Sequence, residues 1–367
     1  MKKIASWLLL LAIQMVLVVG ALEVILRAFP ALLPMNVRYM IAIPSQWHPV
    51  LGVAQLPAYR QKVVNQEFSF DISTTDFGLK GPGFRDDSLK GSRPVVVLGD
   101  SFTWGPGVSK SDIWCELLEK RSGIEFANMA YAGYGTTQER LVLENWGRSL
   151  NPRGVILQIF VGNDFTDNEI WRQEFHVGGG RLMSLVMPLR AWLNKNCRMY
   201  ELFKYHVLGR FFKRGCYAEV FRKTDAQANR IFSGSHSRVV LQPVTDLEGM
   251  SLVPARGWDT MKDDIRRIKA VADHLQAWFV VLIVPTKEQV YSSAYSNVKG
   301  NVFARNEAIE KYCRDLGVRA VDVTAGLKER TNEQIYWPID GHLAKLGHQA
   351  VADILAPDIS SLLSGGR

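Results

Sequence analysis

From residue 94 onward the chain alternates short apolar runs with longer segments of helical period, and that alternation leaves few folds open. Residues 94–98, 125–128, 154–161, 278–284 and 319–323 read as strands buried on both faces. Residues 111–121, 136–150, 259–276, 304–316 and 346–363 read as helices, the first capped by Ser111 or Asp112, with Ile113, Trp114, Leu117 and Leu118 on one face. Strands without a polar face need cover on both sides, which strand–helix–strand succession supplies around a mainly parallel sheet. The pattern predicts an α/β chain.

The N-terminus adds a second constraint. Lys2 and Lys3 precede an apolar run over residues 4–22, broken only by Ser6 and Gln14. At 1.5 Å per residue that run is ~29 Å long, the thickness of a bilayer's hydrocarbon. Two lysines at the start favour a cytoplasmic N-terminus, with the body exported as a single-pass inner-membrane protein facing the periplasm. A cleaved signal peptide, with Val19-Gly20-Ala21 at the cleavage site, is the competing reading; the length of the run favours a retained anchor. The chain thus divides into an anchor over 1–28, lead-in hairpins over 29–92, and a main body over 93–367 with an irregular insertion at about 165–256. In the lead-in, Phe68-Ser69-Phe70-Asp71-Ile72 alternates like a short strand, and Gly78 and Gly81-Pro82-Gly83 mark turns.

The net charge of +8 points to anionic surfaces. Zinc-finger spacing, an RNA-recognition signature and long Lys/Arg runs are absent from the sequence, so phospholipid or an anionic envelope polymer is expected rather than nucleic acid. Residues 184–222 carry eight Lys/Arg against two Asp/Glu among Leu, Met, Trp, Phe and Tyr. An amphipathic helix on the membrane or over the active site, and a helical insertion packed on the body, both fit that composition. Cys197 and Cys216 are candidates for a bridge in an oxidising compartment, and Cys115 and Cys313 fall in helical patterns as core residues. His176, His206, His236 and His274 show no ligand spacing, so no metal and no cofactor are expected. Gly178-Gly179-Gly180 reads as a loop.

Ligands of parallel sheets bind beyond the carboxyl ends of strands. There the sequence places Gly99-Asp100-Ser101, then Asn128 leading to Gly133, then Gly162-Asn163-Asp164, and finally Asp340-Gly341-His342 before the last helix. Acyl transfer requires such a set: a hydroxyl nucleophile, an imidazole to take its proton, a carboxylate to orient the imidazole, and donors for the oxyanion. Ser101 is the candidate nucleophile, His342 the base and Asp340 its orienting partner. The backbone amides of Ser101 and Gly133 and the carboxamide of Asn163 are the candidate oxyanion donors. Asp164 and Asp167 read as solvated or capping carboxylates, and His348 as a packed or capping histidine.

These four blocks, in this order over residues 94–363, resemble the SGNH (GDSL-like) hydrolases. The resemblance implies a three-layer α/β/α, flavodoxin-like fold and the roles just given. One spacing departs from the family: its Asp and His usually stand three apart, whereas Asp340 and His342 stand two apart, with Ile339 in the third position. Asp-x-His occurs in SGNH-like enzymes that acetylate envelope polysaccharides, which the stretch Val284-Pro285-Thr286-Lys287-Glu288-Gln289-Val290-Tyr291 also resembles. The expected function is therefore a serine esterase or acetyl transferase acting on an envelope glycan or lipid, in company with envelope polysaccharide machinery. A non-catalytic envelope-binding or assembly protein on the same scaffold is the alternative.

Overall fold

Val95–Leu98 and Gly154–Phe160 are built almost wholly of buried residues, and their alternating side chains feed two separate cores. The computed structural model describes residues 2–43, 45–74, 93–175, 186, 188–190, 192–194, 196–204 and 230–364. In chain order its strands are β1 (Ser45–His48), β2 (Gly52–Gln55), β3 (Arg60–Val64), β4 (Ser69–Ser73), β5 (Val95–Leu98) and β6 (Phe126–Asn128). They continue with β7 (Gly154–Phe160), β8 (Arg230–Ser233), β9 (Arg238–Leu241), β10 (Trp278–Val284) and β11 (Arg319–Asp322). The central sheet is parallel, in the order β11-β10-β7-β5-β6.

Val96, Leu98, Val155, Leu157 and Val281 face the helices Thr136–Asn145, Ala255–His274 and Ala304–Asp315 through Leu143, Ile265, Ile268 and Ile309. Val95, Val97, Ile156 and Leu282 face the helices Trp114–Ser122 and Lys345–Ser364 through Trp114, Leu118, Val351 and Leu355. This is the expected three-layer α/β/α arrangement. From β5 the chain steps one way to β6, then crosses back to β7, β10 and β11. The reversal lies between β5 and β7, where an open parallel sheet leaves a crevice for ligand.

The first helix, Lys2–Ala28, contains one stretch, Ser6–Ala28, long and apolar enough to cross a membrane, with Trp7, Leu11 and Val16 exposed. Its end is tied to the insertion. The Glu23 carboxylate accepts the N–H groups of Arg198 (3.0 Å) and Met199 (2.9 Å), which open the helix Arg198–Phe203. Leu26, Leu33 and Val37 pack there with Met199 and Leu202. The helix Arg198–Phe203 of the basic insertion thus rests on the end of the N-terminal helix; residues 205–229, and with them Cys216 and His206, lie outside the described residues, as do His176 and Gly178-Gly179-Gly180.

The lead-in contains two antiparallel hairpins, β1–β2 and β3–β4, and also a helix, Met35–Ala42, that lacks a clear period in the sequence. Val63, Phe70 and Ile72 of the second hairpin enter the main core; the turns expected at Gly78 and Gly81-Pro82-Gly83 lie outside the described residues. The hairpin β8–β9 inside the insertion was likewise not legible. The helix expected from residue 111 begins instead at Trp114, after a 3-10 turn over Lys110–Asp112. Its N-cap is Ile113 in extended backbone, so neither Ser111 nor Asp112 caps it. Cys115 and Cys313 are core residues.

Candidate active site

Ser101 opens a one-turn helix, Ser101–Trp104, directly beyond β5. The turn is tight because Gly99 allows it: a Cβ there would lie 2.6 Å from Gln158 Oε1 and 2.7 Å from Thr103 Oγ1. That same Oε1 accepts the Asp100 N–H (3.3 Å) and the Thr103 hydroxyl (2.8 Å), so Gln158 of β7 holds both sides of Ser101. Asp100 Oδ1 accepts the Phe102 N–H at 2.9 Å and caps the turn.

The loop after β6 lies alongside. Asn128 Nδ2 donates to the Thr103 carbonyl (3.1 Å), and the Tyr131 N–H donates to the Gly99 carbonyl (3.2 Å). Two residues on, Gly133 has φ +81°, the left-handed backbone that glycine adopts without strain. The loop after β7 carries Asn163, whose Nδ2 donates to Asp167 Oδ2 at 2.7 Å. Arg305 fixes that loop from below, donating from Nη1 to the Val161 carbonyl at 2.8 Å.

His342 sits in a narrow loop closed by the bridge between Tyr336 and Leu343, with the Trp337 N–H donating to the His342 carbonyl at 3.0 Å. Its Nε2 lies 2.8 Å from Ser101 Oγ, and its Nδ1 lies 2.5 Å from Asp340 Oδ1. The short spacing works through a turn: Asp340 Oδ1 also accepts the His342 backbone N–H at 2.9 Å, folding the carboxylate back over Gly341 onto the imidazole. The ring packs 5.1 Å from Phe102, which stacks at 4.0 Å on Phe160. A hydroxyl, an imidazole and a carboxylate therefore stand in line at the crevice between β5 and β7.

Behind Ser101 lies a layer of buried acids. Burial pushes the Asp100 carboxyl up to about 6, opposed by the Phe102 amide and by His342. Burial, reinforced by their neighbours' charges, raises Glu139 and Asp164 well above the usual carboxylate range. Asp164, read from the sequence as a solvated or capping carboxylate, is fully buried and accepts the Phe160 N–H at 2.8 Å. Asp167 is spent on orienting Asn163. His348 is buried in the last helix. Among the described residues no cluster of His, Cys, Asp and Glu is arranged to hold a metal.

The family model described as the GDSL-like Lipase/Acylhydrolase family matches residues 97–350. The chain belongs to this family. It is accordingly an ester hydrolase by family, and Ser101, Gly133, Asn163, Asp340 and His342 all fall within the matched residues. Solved structures similar to this acylhydrolase include the psychrotrophic esterase EstA from Pseudoalteromonas sp., 10% identical, covering 74% of this chain and 100% of that one with a TM-score of 0.40. Another is the acetyl xylan esterase AlAXEase, 15% identical, covering 72% and 99% with a TM-score of 0.39. A third is a member of the lipolytic protein G-D-S-L family from Veillonella parvula, 12% identical, covering 73% and 99% with a TM-score of 0.38. No curated protein matches the chain.

Three residues of the acylhydrolase's site have no role in the sequence reading: Gln158 behind Ser101, and Glu67 and Lys287, which both touch the loop of His342. Gln158 is a polar residue in an otherwise apolar strand, a signal that could have been read. Lys287 falls in the stretch singled out by resemblance alone. Glu67 carries no sequence signal, because its partners lie 272 and 273 residues away.

Proposed function

We propose that this acylhydrolase works through an acyl-enzyme on Ser101 and acts on a small acyl ester of an envelope glycan or lipid. The observation that carries the reading is the line Ser101 Oγ, His342 Nε2, His342 Nδ1, Asp340 Oδ1. His342 Nε2 takes the hydroxyl proton as Oγ bonds to the ester carbonyl carbon. The Asp340 carboxylate fixes the tautomer and balances the imidazolium. The oxyanion is received by the amides of Ser101 and Gly133 and by the Asn163 carboxamide, whose orientation Asp167 sets; each such donor is typically worth about 2.7–4 kcal/mol of barrier. The C–O bond to the leaving alkoxide then breaks as imidazolium returns the proton. Water, or a sugar hydroxyl in a transfer reaction, attacks the acyl-enzyme by the same route in reverse.

The substrate assignment is supported by the apolar N-terminal helix, which suits an anchor and brings the site to a membrane-bounded envelope. The test is the purified full chain in detergent with p-nitrophenyl acetate, beside Ser101→Ala. Equal rates in the two proteins remove Ser101 from the mechanism, and a folded wild-type chain that resists a fluorophosphonate probe favours the non-catalytic binding reading. Labelled acyl donor offered with glycan acceptors separates transfer from hydrolysis.

A further inference from the structure

We propose that Glu67 and Lys287 are positioning residues that hold the loop over residues 337–342 in the shape Asp340 needs to reach His342. The N-terminal hairpin β3–β4, which lies outside the matched residues 97–350, then belongs to the working site. This rests on the reading of Asp340 and His342 given above.

The two side chains grip the same peptides from opposite sides. Glu67 Oε1 accepts the Ile339 N–H at 2.5 Å and Oε2 accepts the Asp340 N–H at 2.6 Å. Lys287 Nζ donates towards the carbonyls of Trp337 (3.4 Å), Pro338 (3.3 Å), Ile339 (3.2 Å) and Asp340 (3.1 Å). The peptide joining Pro338 to Ile339 therefore has its carbonyl on the ammonium and its N–H on the carboxylate. So does the next peptide, joining Ile339 to Asp340. Each peptide carries a dipole of about 3.5 D. Two successive dipoles set side by side and pointing the same way repel, and such backbone is found where an ion sits against it. Here a negative group faces the positive ends and a positive group faces the negative ends, so both charges favour the same shape.

That shape matters because only Gly341 separates Asp340 from His342. The carboxylate must turn back on its own chain, and its direction is set by the backbone at Asp340, whose N–H Glu67 holds. Both grips are themselves built. Asn65 Oδ1 accepts the N–H groups of Glu67 and Phe68 at 2.8 Å, shaping the turn that presents Glu67. Phe68 packs 4.9 Å from the Trp337 ring at the start of the loop. Lys287 is 2% exposed and follows Thr286, which caps the short helix Lys287–Val290 beyond β10. Charge, burial and packing converge on one loop.

The experiment uses the full chain in detergent. The fraction of sites that react with a fluorophosphonate at its end point is measured first, then kcat per labelled site and KM for p-nitrophenyl acetate. Glu67→Gln keeps the size of the side chain but sets an amide N–H against a backbone N–H. It is expected to label to the wild-type end point, with KM within about twofold and kcat per labelled site lower by about 10- to 100-fold, the scale of a small misplacement. Glu67→Asp is expected to recover part of that loss. Lys287→Gln is expected to resemble Glu67→Gln, and the double variant to fall short of the product of the two single effects, because both act on the same peptides. Wild-type kcat per labelled site in Glu67→Gln overturns the proposal, as does a loss confined to the labelled fraction. An inactive Ser101→Ala beside a fully active Glu67→Gln overturns the grip alone; an active Ser101→Ala overturns the nucleophile beneath it.

Discussion

Ser101 Oγ and His342 Nε2 lie 2.8 Å apart although 241 residues separate them in the chain. That contact makes the imidazole the nearest base to the hydroxyl, since Asp100 Oδ2 stands at 3.5 Å. His342→Ala is expected to lower kcat by about 10²–10⁴-fold, the usual worth of general base catalysis, while leaving KM nearly unchanged. Steady-state kinetics on a soluble acetate ester check it, and a variant with wild-type kcat rules out the imidazole as base.

Asp340→Asn keeps an oxygen for the His342 N–H but removes the charge that balances the imidazolium. The expected result is a kcat lower by about 10²-fold or more. A carboxylate favours protonated imidazole, so its loss also moves the acid limb of the kcat/KM profile to lower pH. His342 faces Asp340 directly and Asp100 more distantly, so the limb reports mainly on Asp340. A limb that stays in place, or moves up, argues against an orienting carboxylate.

The buried acids make a prediction about stability. Asp100, Glu139 and Asp164 all have their pKa values raised by burial, so each binds its proton more tightly folded than unfolded. Their stabilising contribution is complete below the unfolded carboxyl pKa, near ~4, and is lost as pH rises through the folded values. Burial also raises Asp264 and Glu310, which act in the same sense, while His48, lowered by burial, acts the other way below pH ~6.5. The protein is expected to melt higher near pH 5 than near pH 8, with Glu139→Gln flattening the difference. A melting temperature that climbs across this range would falsify the assignment.

Gly257 supports the face that carries the Asn163 loop. A Cβ there would lie 1.7 Å from the Phe165 carbonyl oxygen, a backbone atom that cannot swing aside. Gly257→Ala is expected to destabilise by about 2–3 kcal/mol through overpacking. Gly123, with φ +66° and open space around its Cβ position, should cost only about 1–2 kcal/mol as alanine, for backbone strain alone. Denaturant titration ranks the two, and the reverse order contradicts the packing shown here.

The N-terminal helix separates anchor from signal peptide by experiment. With Ser6–Ala28 retained, the chain should stay in membranes through alkaline extraction, and the mass of its first peptide should include residues preceding Val19-Gly20-Ala21. A mature chain that begins after Ala21 and extracts freely identifies a cleaved signal.

Much of this was legible in the sequence because it depends on local chemistry. Apolar runs such as Trp278–Val284 can be satisfied only in a covered sheet, and the period of Met261, Ile265 and Ile268 allows only a helix with one buried face. The blocks around Ser101, Gly133 and Asn163 are strand-end loops and that around His342 is the loop before the last helix, and their glycines and polar residues mark themselves. The helix Met35–Ala42 and the hairpin β8–β9 were not legible, since their stability comes from surfaces supplied by distant segments. The cap at Ile113 was missed for a related reason: a 3-10 turn took the place of a side-chain cap.

By itself the sequence determined a covered parallel sheet, an apolar N-terminal helix and which residues stand at the strand ends, because side-chain period and turn chemistry act over a few residues. The tertiary structure alone decided that Asp340 turns back onto His342 across one glycine, that Asp164 is buried rather than solvated, and that Glu67 grips the loop of the imidazole. Glu67 reaches Asp340 from 273 residues away, the burial of Asp164 depends on a formed interior, and the direction of the Asp340 carboxylate depends on the backbone shape of its loop; none of these is encoded in spacing along a line.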